Sequence, residues 1–429
     1  MLLIAAGLGR AATTAARTLQ SRVPFQNHYL LFPSALRFYG TSVSNVDPVA
    51  LQMINYALAH ARTQKSDESY AQGLLVLEQC LSSNLREGSD NSSENAGGMV
   101  LLAMSSLLSE RGSINEAIEK LEKVQDLTHS YLGIRVAALE GLIGLHLEMG
   151  QDDTSSVLAD KCLQLLQRNG PENGDRDESG VLETRAKAVK GLVQLVLGNI
   201  ESEPYFSGFQ EDKGCSGNVA LPYGELLHAT GNFPLAKQFY EKAIQGVSEI
   251  DGPFALEASN MQSEEVLIGA TCALGQLEAH VGNFANAEEI LTRALTKAEQ
   301  HFGSHHPKVG VILTSIALMF RKKAKMEHSS SILIQEGLYR RAIDLLKAPP
   351  IETEDAEVKV DRRDITALAR GGYAETLCVQ QNRKGEGEKM KKWAETTWKN
   401  SRLSLAEALE LCDHSSKVPV IDARISRVL

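Results

Sequence analysis

Aromatic residues are scarce in this 429-residue sequence, in which Phe, Trp and Tyr together account for 5% of positions. Strands favour aromatic and β-branched side chains, so this scarcity argues against a β-rich fold. Leu, Ala and Glu are abundant instead, a composition that suits stacked helices. The length exceeds that of a usual single hydrophobic core, so we expect either two domains or one elongated array of helices.

Cysteine pairs and long apolar runs are lacking as well. The six cysteines are scattered and form no C-x-x-C pair, which disfavours a zinc site or a disulfide framework and favours buried, reduced thiols. The longest opening apolar run, MLLIAAGL, is far shorter than the ~20 residues that a transmembrane helix needs. We therefore predict no transmembrane segment, while peripheral association with a membrane stays open.

Motifs of catalytic sites are also missing. The sequence contains no P-loop, no G-x-G-x-x-G after a strand, no H-E-x-x-H and no G-x-S-x-G. His301, His305 and His306 form a cluster, but it lacks a nearby Cys or a suitably spaced acid, so a linker between helices is the favoured interpretation over a metal site. We predict that the chain is not an enzyme and holds neither a metal nor a cofactor.

Acidic residues are absent from the first 46 positions, which contain Arg10, Arg17, Arg22 and Arg37 together with several Ser and Thr. This is the composition of an organellar transit peptide. A secretory signal is disfavoured, because the basic residues follow the short apolar run and do not precede it.

The end of this basic segment, LRFYG at positions 36–40, resembles the cleavage pattern of mitochondrial presequences, with Arg37 three residues before the cut and Tyr39 just before it. We predict a presequence over residues 1–39 and a location in the mitochondrial matrix or at the inner membrane. Import into a plastid is the alternative, because transit peptides of both organelles are rich in Ser and Arg.

Negative charge dominates the rest of the chain. The formal net charge is −10, and removal of residues 1–39, which carry four Arg and no acid, would leave 40 basic and 54 acidic residues and a net charge of −14. Such a surface is poorly suited to a phosphate backbone. An RNA contact would fall on one of two basic stretches, residues 321–325 or residues 389–399, which include Trp393 and Trp398. The favoured interpretation is a solvated helix end for the first stretch and packing of a terminal helix for the second.

One pattern of a helical hairpin occurs twice in the middle of the chain. Residues 222–244 read PYGELLHATGNFPLAKQFYEKAI and residues 273–295 read ALGQLEAHVGNFANAEEILTRAL. The same small residues return at the same offsets in both copies: Gly224 and Gly275, Gly231 and Gly282, Ala236 and Ala287, Ala243 and Ala294. This matching predicts two copies of one structural unit rather than two unrelated helix pairs.

The small residues have physical reasons to recur. A glycine at the position of Gly224 and Gly275 lets the two helices of a hairpin approach closely. A glycine at the position of Gly231 and Gly282 supplies the left-handed conformation that ends the first helix. The paired alanines lie seven residues apart on one face of the second helix, where they admit its neighbours.

This pattern resembles the tetratricopeptide repeat (TPR) family. Gly303, His306, Pro307 and Val309 are similar to the linker in TPRs of the kinesin-light-chain type, whose repeats are longer than the usual 34 residues. The two copies here are 51 residues apart, and the excess falls in residues 246–263. The resemblance implies an all-α fold, a TPR-like α-solenoid of about seven stacked helical hairpins.

We divide the chain accordingly into the presequence (1–39), degenerate repeats (48–200), central repeats (217–347) and two C-terminal capping helices (362–412). Residues 84–98, rich in Gly, Ser and Asn, are predicted to form a loop. Residues 415–429 are predicted to be a frayed tail.

In TPR proteins the first helices of the hairpins line the binding groove. The carboxylate clamp of chaperone-binding members requires a Lys three residues before the first-helix Gly and an Asn just after it. Here those positions hold Leu221 and Glu225 in one copy and Cys272 and Gln276 in the next, so chaperone-tail binding is disfavoured. The groove candidates that remain, each of which is equally consistent with plain surface, are Asn218, Glu225, His228, Gln276 and His280.

The resemblance implies a scaffold for protein–protein interactions, with a protein partner in the groove. A role in the assembly or maintenance of a multisubunit complex follows from analogy with mitochondrial TPR proteins and from no particular residue. The alternative is an RNA-binding helical-repeat factor for organellar transcripts, which the net charge and the irregular repeat length oppose. The sequence leaves the oligomeric state open.

Overall fold

The computed structural model describes residues 47–84, 91–168, 176–206, 217–249, 256–351, 362–410 and 418–429. The chain divides into two units, Met1–Leu36 and Arg37–Leu429, and all described residues belong to the second. The predicted presequence, including Arg37 and Tyr39, lies outside the described residues.

Helices account for most of this part of the chain. They are α1 (Pro48–Gln64), α2 (Asp67–Asn84), α3 (Asn91–Arg111), α4 (Ile114–Gln125), α5 (Leu132–Glu148), α6 (Asp152–Arg168), α7 (Arg176–Val196), α8 (Gly217–Ala229), α9 (Phe233–Glu249), α10 (Ser263–Val281), α11 (Phe284–Phe302), α12 (Pro307–Met326), α13 (Ile332–Leu345), α14 (Arg363–Cys378), α15 (Lys384–Thr397) and α16 (Leu405–Leu409). Two 3₁₀ helices span Ile200–Phe206 and Ser259–Met261, and two short strands, β1 (Ile421–Asp422) and β2 (Arg427–Val428), pair antiparallel.

Consecutive helices pack as hairpins, and each hairpin packs on the next. The pairs run from α1 with α2 to α14 with α15, and the first helix of each pair also contacts the first helix of a neighbouring pair. In the pair that begins with α7, the 3₁₀ helix Ile200–Phe206, which contains Pro204, takes the place of the second α-helix. The predicted all-α, TPR-like solenoid of stacked hairpins is confirmed.

The two helices of a hairpin differ in how they are buried. In α11, a second helix, the buried residues form one stripe at spacings of three or four, which include Ala287, Leu291 and Ala294. In α10, a first helix, nearly every residue from Glu265 to Ala279 is buried. A first helix is therefore covered on two sides: by the second helix of its hairpin, and by other parts of the chain on the opposite side. No helix in these described ranges is long and apolar enough to cross a membrane.

Glycines lie at the two kinds of position that the sequence pattern requires. Gly231 and Gly282 have φ of +83° and +93° at the ends of α8 and α10. A Cβ on Gly224 would lie 2.8 Å from the Tyr240 ring, and one on Gly275 would lie 2.6 Å from Leu291 Cγ. In both central hairpins the two helices are therefore in contact at the glycine of the first helix. The paired alanines of the second helices are fully buried: Ala236, Ala243, Ala287 and Ala294.

Three expectations from the sequence are corrected. The segment 84–98 is not a loop throughout, since α3 begins at Asn91; Gly98 packs where a Cβ would lie 2.7 Å from Ile134, and Asn95 accepts a hydrogen bond from the Tyr131 N–H. The second predicted capping helix is divided into α15 and α16. The prediction of a frayed tail is wrong for residues 418–429, because residues 420–429 are buried throughout.

The close approach at Gly275 predicts a large cost for Gly275→Ala. The added methyl must displace Leu291, which is fully buried, and overpacking of this kind costs about 1–3 kcal/mol. Gly337→Ala is the matched control, because this glycine is exposed within α13 and a Cβ there meets nothing within 4 Å. The control is expected to stabilise by about 0.5–1 kcal/mol, since Ala is the better helix former. Urea unfolding of the two variants is expected to shift in opposite directions; equal shifts would contradict the packing at Gly275.

Candidate functional site

The first helices of the hairpins form a continuous face on which two other segments of the chain lie. We call the surface made by α3, α5, α8, α10, α12 and α14 the A face. The insert segment, residues 256–262, packs on α3, α5 and α10. The C-terminal hairpin, residues 420–429, packs on α10 and α14 through its two strands. The contacts that the A face makes with these two segments show which side chains of this face can bind a short piece of chain.

The C-terminal hairpin keeps its shape through its own bonds. The Leu429 N–H donates to the Val420 carbonyl at 2.7 Å, and the strands pair Ile421 with Val428. At the turn, the Arg424 N–H donates to Asp422 Oδ1 at 2.8 Å. A hydrogen bond from a backbone N–H to an Asp side chain two residues earlier is the usual way in which this residue type stabilises a tight turn.

Arg424 occupies a fully buried pocket on the A face. Its Nη2 lies 2.8 Å from Asp422 Oδ2 and 3.3 Å from Glu225 Oε2, and its Nη1 donates to Asn218 Oδ1 at 2.8 Å. Two carboxyl groups thus face one guanidinium. Burial, and next the charge of Asp422, raise the pKa of Glu225 well above its usual range. The body contributes two oxygens that accept hydrogen bonds, from Asn218 and Glu225, and these suit a side chain with several donors such as arginine.

Gln276 holds the backbone of the hairpin at its first strand. Its Nε2 donates to the Ile421 carbonyl at 2.9 Å, and its Oε1 accepts from the Ile421 N–H at 2.8 Å. Both groups are buried. One amide side chain therefore satisfies the donor and the acceptor of a single residue, as a neighbouring strand would.

Arg427 binds at the boundary of two hairpins. Its Nε lies 2.8 Å from Asp364 Oδ2 in α14, and its Nη1 lies 2.7 Å from Asp152 Oδ1 at the start of α6. The same Nη1 donates to the Leu147 carbonyl at the end of α5. This single side chain ties together parts of the chain that are more than 200 residues apart.

Lys308 connects the two segments on the A face. Its Nζ lies 2.8 Å from Glu265 and 3.3 Å from Glu148, and it also donates to the Arg424 carbonyl. Although burial raises it, the positive charges of Lys308 and Arg362 hold the pKa of Glu148 at about 2. Asn260 of the insert segment donates to the same Glu148 at 3.2 Å.

The insert segment is held by the same kinds of contact. Gln262 Nε2 donates to Glu110 at 3.0 Å, and Arg62 lies 2.6 Å from that carboxylate. The Ser259 N–H donates to Ser106 Oγ at 3.0 Å. Gly144 lies under the insert, since a Cβ there would be 2.2 Å from Asn260. The residues 246–263 that make this repeat unusually long therefore include a return to the A face.

His228 and His280 form a hydrogen-bonded pair behind the hairpin. Their Nε2 and Nδ1 atoms are 2.7 Å apart, and His228 Nδ1 lies 3.0 Å from the Tyr240 hydroxyl. Burial, and next the charge of Lys322, lower the pKa of His280 to about 3; burial also lowers that of His228. The hydrogen bond needs a proton on one of the two facing nitrogens, and the lowered pKa values favour neutral rings.

The five predicted groove residues are brought together by the structure. Asn218 and Glu225 contact Arg424, Gln276 contacts Ile421, and His228 and His280 pair beside them. Asn218, Glu225 and Gln276 contact the chain's own hairpin, and binding of a partner there stays a prediction. Residues of this site that sequence reasoning missed are Asp152, Lys308, Asp364 and Arg427. For Arg427, the available signal was the presence of charged residues within an otherwise aliphatic C-terminal stretch.

Space for a small molecule is limited at this site. A recess of about 30 Å³ lies between α10, α12 and the hairpin, with His280, Met319 and Ile421 among its walls. That volume suits one or two waters, far below the few hundred Å³ of a ligand pocket. Of the three clustered histidines, His306 begins α12, where its Nδ1 accepts from the Lys308 N–H. Across the described ranges, no three potential metal ligands converge.

Comparison with known proteins adds to this geometry. Residues 268–308 match the tetratricopeptide repeat. The match covers α10 and α11, the hairpin that carries Gln276 and His280, and it supports TPR-like repeats in this chain. Among solved structures, the crystal structure of BtubC (BKLC) from P. vanneervenii is similar at 12% identity and a TM-score of 0.37, over 57% of this chain and 89% of that chain. A search of curated proteins finds no match.

The Gln276 clamp predicts that Gln276→Ala destabilises the fold by about 2–4 kcal/mol, because it leaves a buried donor and a buried acceptor of Ile421 without partners. Gln238→Ala is the matched control, since that glutamine is exposed on α9 and its loss is expected to change stability by less than about 0.5 kcal/mol. Thermal or urea unfolding measures both. Equal stability of the two variants would show that the clamp contributes nothing.

The low pKa of His280 predicts a pH dependence of stability. Between its folded pKa of about 3 and an unfolded value of about 6.5, the unfolded state binds one more proton, so the free energy of unfolding decreases as pH falls. From pH 7 to pH 5 this contribution amounts to up to about 2 kcal/mol. Other buried groups titrate in this range, so the measurement is a difference: His280→Gln is expected to lose about 2 kcal/mol less than the unchanged chain. If the stability of the two chains changed equally between pH 7 and pH 5, the low pKa assigned to His280 would be contradicted.

Proposed function

We propose that this chain is a non-enzymatic scaffold that binds protein partners through its stacked helical hairpins. The observation that carries the proposal is the way in which the A face holds the C-terminal hairpin. Gln276 binds both polar groups of one backbone residue, and Asn218 and Glu225 bind an arginine side chain. These are the interactions by which one protein recognises a short segment of another.

The site of action that we propose is the mitochondrion, in the matrix or at the inner membrane. The basic, acid-free composition of residues 1–46 and the LRFYG stretch support this proposal. The task that we propose there is the assembly or maintenance of a multisubunit complex, by analogy with other mitochondrial TPR proteins. Plastid import is the competing location.

Two observations disfavour the RNA-binding alternative. The formal net charge of the chain is −10. The two tryptophans of the basic stretch also have partners within the chain: the Arg370 guanidinium lies 3.8 Å from the Trp393 ring centroid, and Trp398 Nε1 donates to the Leu403 carbonyl at 2.7 Å. A base-stacking platform needs exposed ring faces, whereas both rings are partly buried and pack against the hydrophobic core.

Immunoprecipitation from isolated mitochondria tests the proposal. An antibody against the untagged chain is required, because Val428 and Leu429 are buried and a C-terminal tag would disturb the hairpin. Subunits of one complex are expected in the precipitate, identified by mass spectrometry and unchanged by ribonuclease. Loss of these proteins after ribonuclease would favour the RNA alternative, and absence of the chain from mitochondria would refute the proposed location.

A further inference from the structure

The bonds of residues 418–429 divide into two groups. Those that shape the hairpin lie within it, between Val420 and Leu429 and around Asp422. Those that hold it in place involve side chains, either of the body, such as Gln276 and Lys308, or of the hairpin, Arg424 and Arg427. Among the backbone-to-backbone hydrogen bonds of the described residues, the Val418 N–H to the Ala229 carbonyl, at 3.4 Å, is the one that joins this segment to a helix. The backbone bonds thus shape the segment and the side-chain bonds attach it to the body, as in a complex between a folded peptide and its receptor.

Charge is also divided between the two sides. The hairpin supplies two arginines, Arg424 and Arg427, and one acid, Asp422, which pairs with Arg424 within the hairpin; the body supplies three acidic side chains, Glu225, Asp152 and Asp364. The contacts of Arg424 with Glu225 and of Arg427 with Asp364 are buried, and that of Arg427 with Asp152 is part-buried. A short basic turn is therefore the occupant for which this part of the A face is built, and charge-assisted bidentate contacts give the selectivity.

The hairpin presents its contacts in a compact order. Ile421 offers its backbone to Gln276, Asp422 closes the turn, Arg424 enters the Glu225 pocket, and Arg427 reaches Asp152 three residues later. Three contacts with the body and one turn-closing contact thus fall within seven residues, a length that a short peptide can reproduce. These contacts are noncovalent, so a separate peptide with the same residues can form them.

We propose that this part of the A face is a peptide-binding site whose present occupant is the chain's own C-terminal hairpin. The partner that it accepts in trans is a protein that presents a turn with an aliphatic residue, an Asp, an Arg two residues after the Asp, and a second Arg three residues further on. The inference rests on the proposed scaffold function and names how its partner is recognised. Because the hairpin belongs to the same chain, a partner must compete with an effective concentration on the order of mM.

The test uses the full-length chain and a fluorescent peptide of residues 418–429, VPVIDARISRVL. Arg424→Ala in the chain removes the cation from the buried pocket and so weakens the hairpin as a competitor, while every helix of the site stays intact. The peptide then supplies the missing arginine from outside. Arg340→Ala is the matched control, because it removes a largely exposed arginine of α13 that lies away from the hairpin.

Fluorescence anisotropy is expected to show at least tenfold tighter peptide binding by the Arg424→Ala chain than by the unchanged chain and the Arg340→Ala chain. A peptide that itself carries Arg424→Ala is expected to bind at least tenfold more weakly. A folded Arg424→Ala chain that binds neither peptide, or both equally, would overturn the proposal.

Hydrogen exchange of the unchanged chain decides the matter if Arg424→Ala does not fold. The amides of Ile421, Arg424 and Leu429 are expected to exchange together and at least tenfold faster than those of α10 and α12, because the hairpin leaves while the helices persist. Excess unlabelled peptide is expected to accelerate that exchange further by occupying the vacated site. Exchange of the hairpin only at the rate of the helices would show that it is a permanent part of the core, and would refute the inference.

These results are separable from those of the immunoprecipitation. A chain that binds its own peptide in trans but recovers no mitochondrial partner would retain the peptide site and lose the proposed scaffold function. Recovery of partners by a chain whose hairpin never leaves would retain the scaffold function and place the partner on another surface.

Discussion

Pairing of buried charges on the first helices is the constraint on which the rest of this structure depends. Glu225, Lys308 and Asp364 belong to three different hairpins, and all are buried on the A face. A buried ionised group without a counter-charge costs several kcal/mol, so these helices cannot simply pack against an apolar neighbour. Glu148 and Glu265 of other first helices supply the counter-charges of Lys308, and Arg427 of the C-terminal hairpin supplies that of Asp364. The insert segment adds amide hydrogen bonds from Asn260 and Gln262. The stacked hairpins and the two segments on the A face therefore depend on each other for the pairing of their buried polar groups.

This arrangement explains why the first helices of the chain are buried on almost every side. In a stack of hairpins, the second helices cover one side of the first helices, and the other side is left to solvent or to a ligand. Here the insert segment and the hairpin occupy that other side. The polar residues that usually mark a wet groove, such as Gln276 and Asn218, are present but already have partners. Occupied and empty grooves can therefore look alike in sequence.

The parts of the fold that could be predicted are those that depend on neighbours close in sequence. The glycines of the central hairpins are determined by the helix packed directly against them, and Gly231 and Gly282 by the turn in which they lie, so a repeated spacing was enough to interpret them. The helical part of 84–98 and the buried end of the chain could not be predicted, because their burial depends on partners such as Tyr131 and Asp152. Asp152 is 275 residues from the Arg427 that it binds. Placing Asn218, Glu225 and Gln276 on one face was within reach of the repeat geometry; identifying their occupant was not.

The contact between Arg427 and Asp152 also changes how such a molecule folds. Hairpin arrays form mainly contacts that are local in sequence, so their folding can begin anywhere and spread along the chain. A segment that must close over helices formed hundreds of residues earlier introduces contacts of very long sequence separation, and loop closure makes these slow to form. Until residues 418–429 are available, Gln276, Asn218 and Asp364 lack the partners that the hairpin supplies. A newly made chain thus passes through a stage in which the helices are stacked but the part of the A face that lies under residues 418–429 is uncovered.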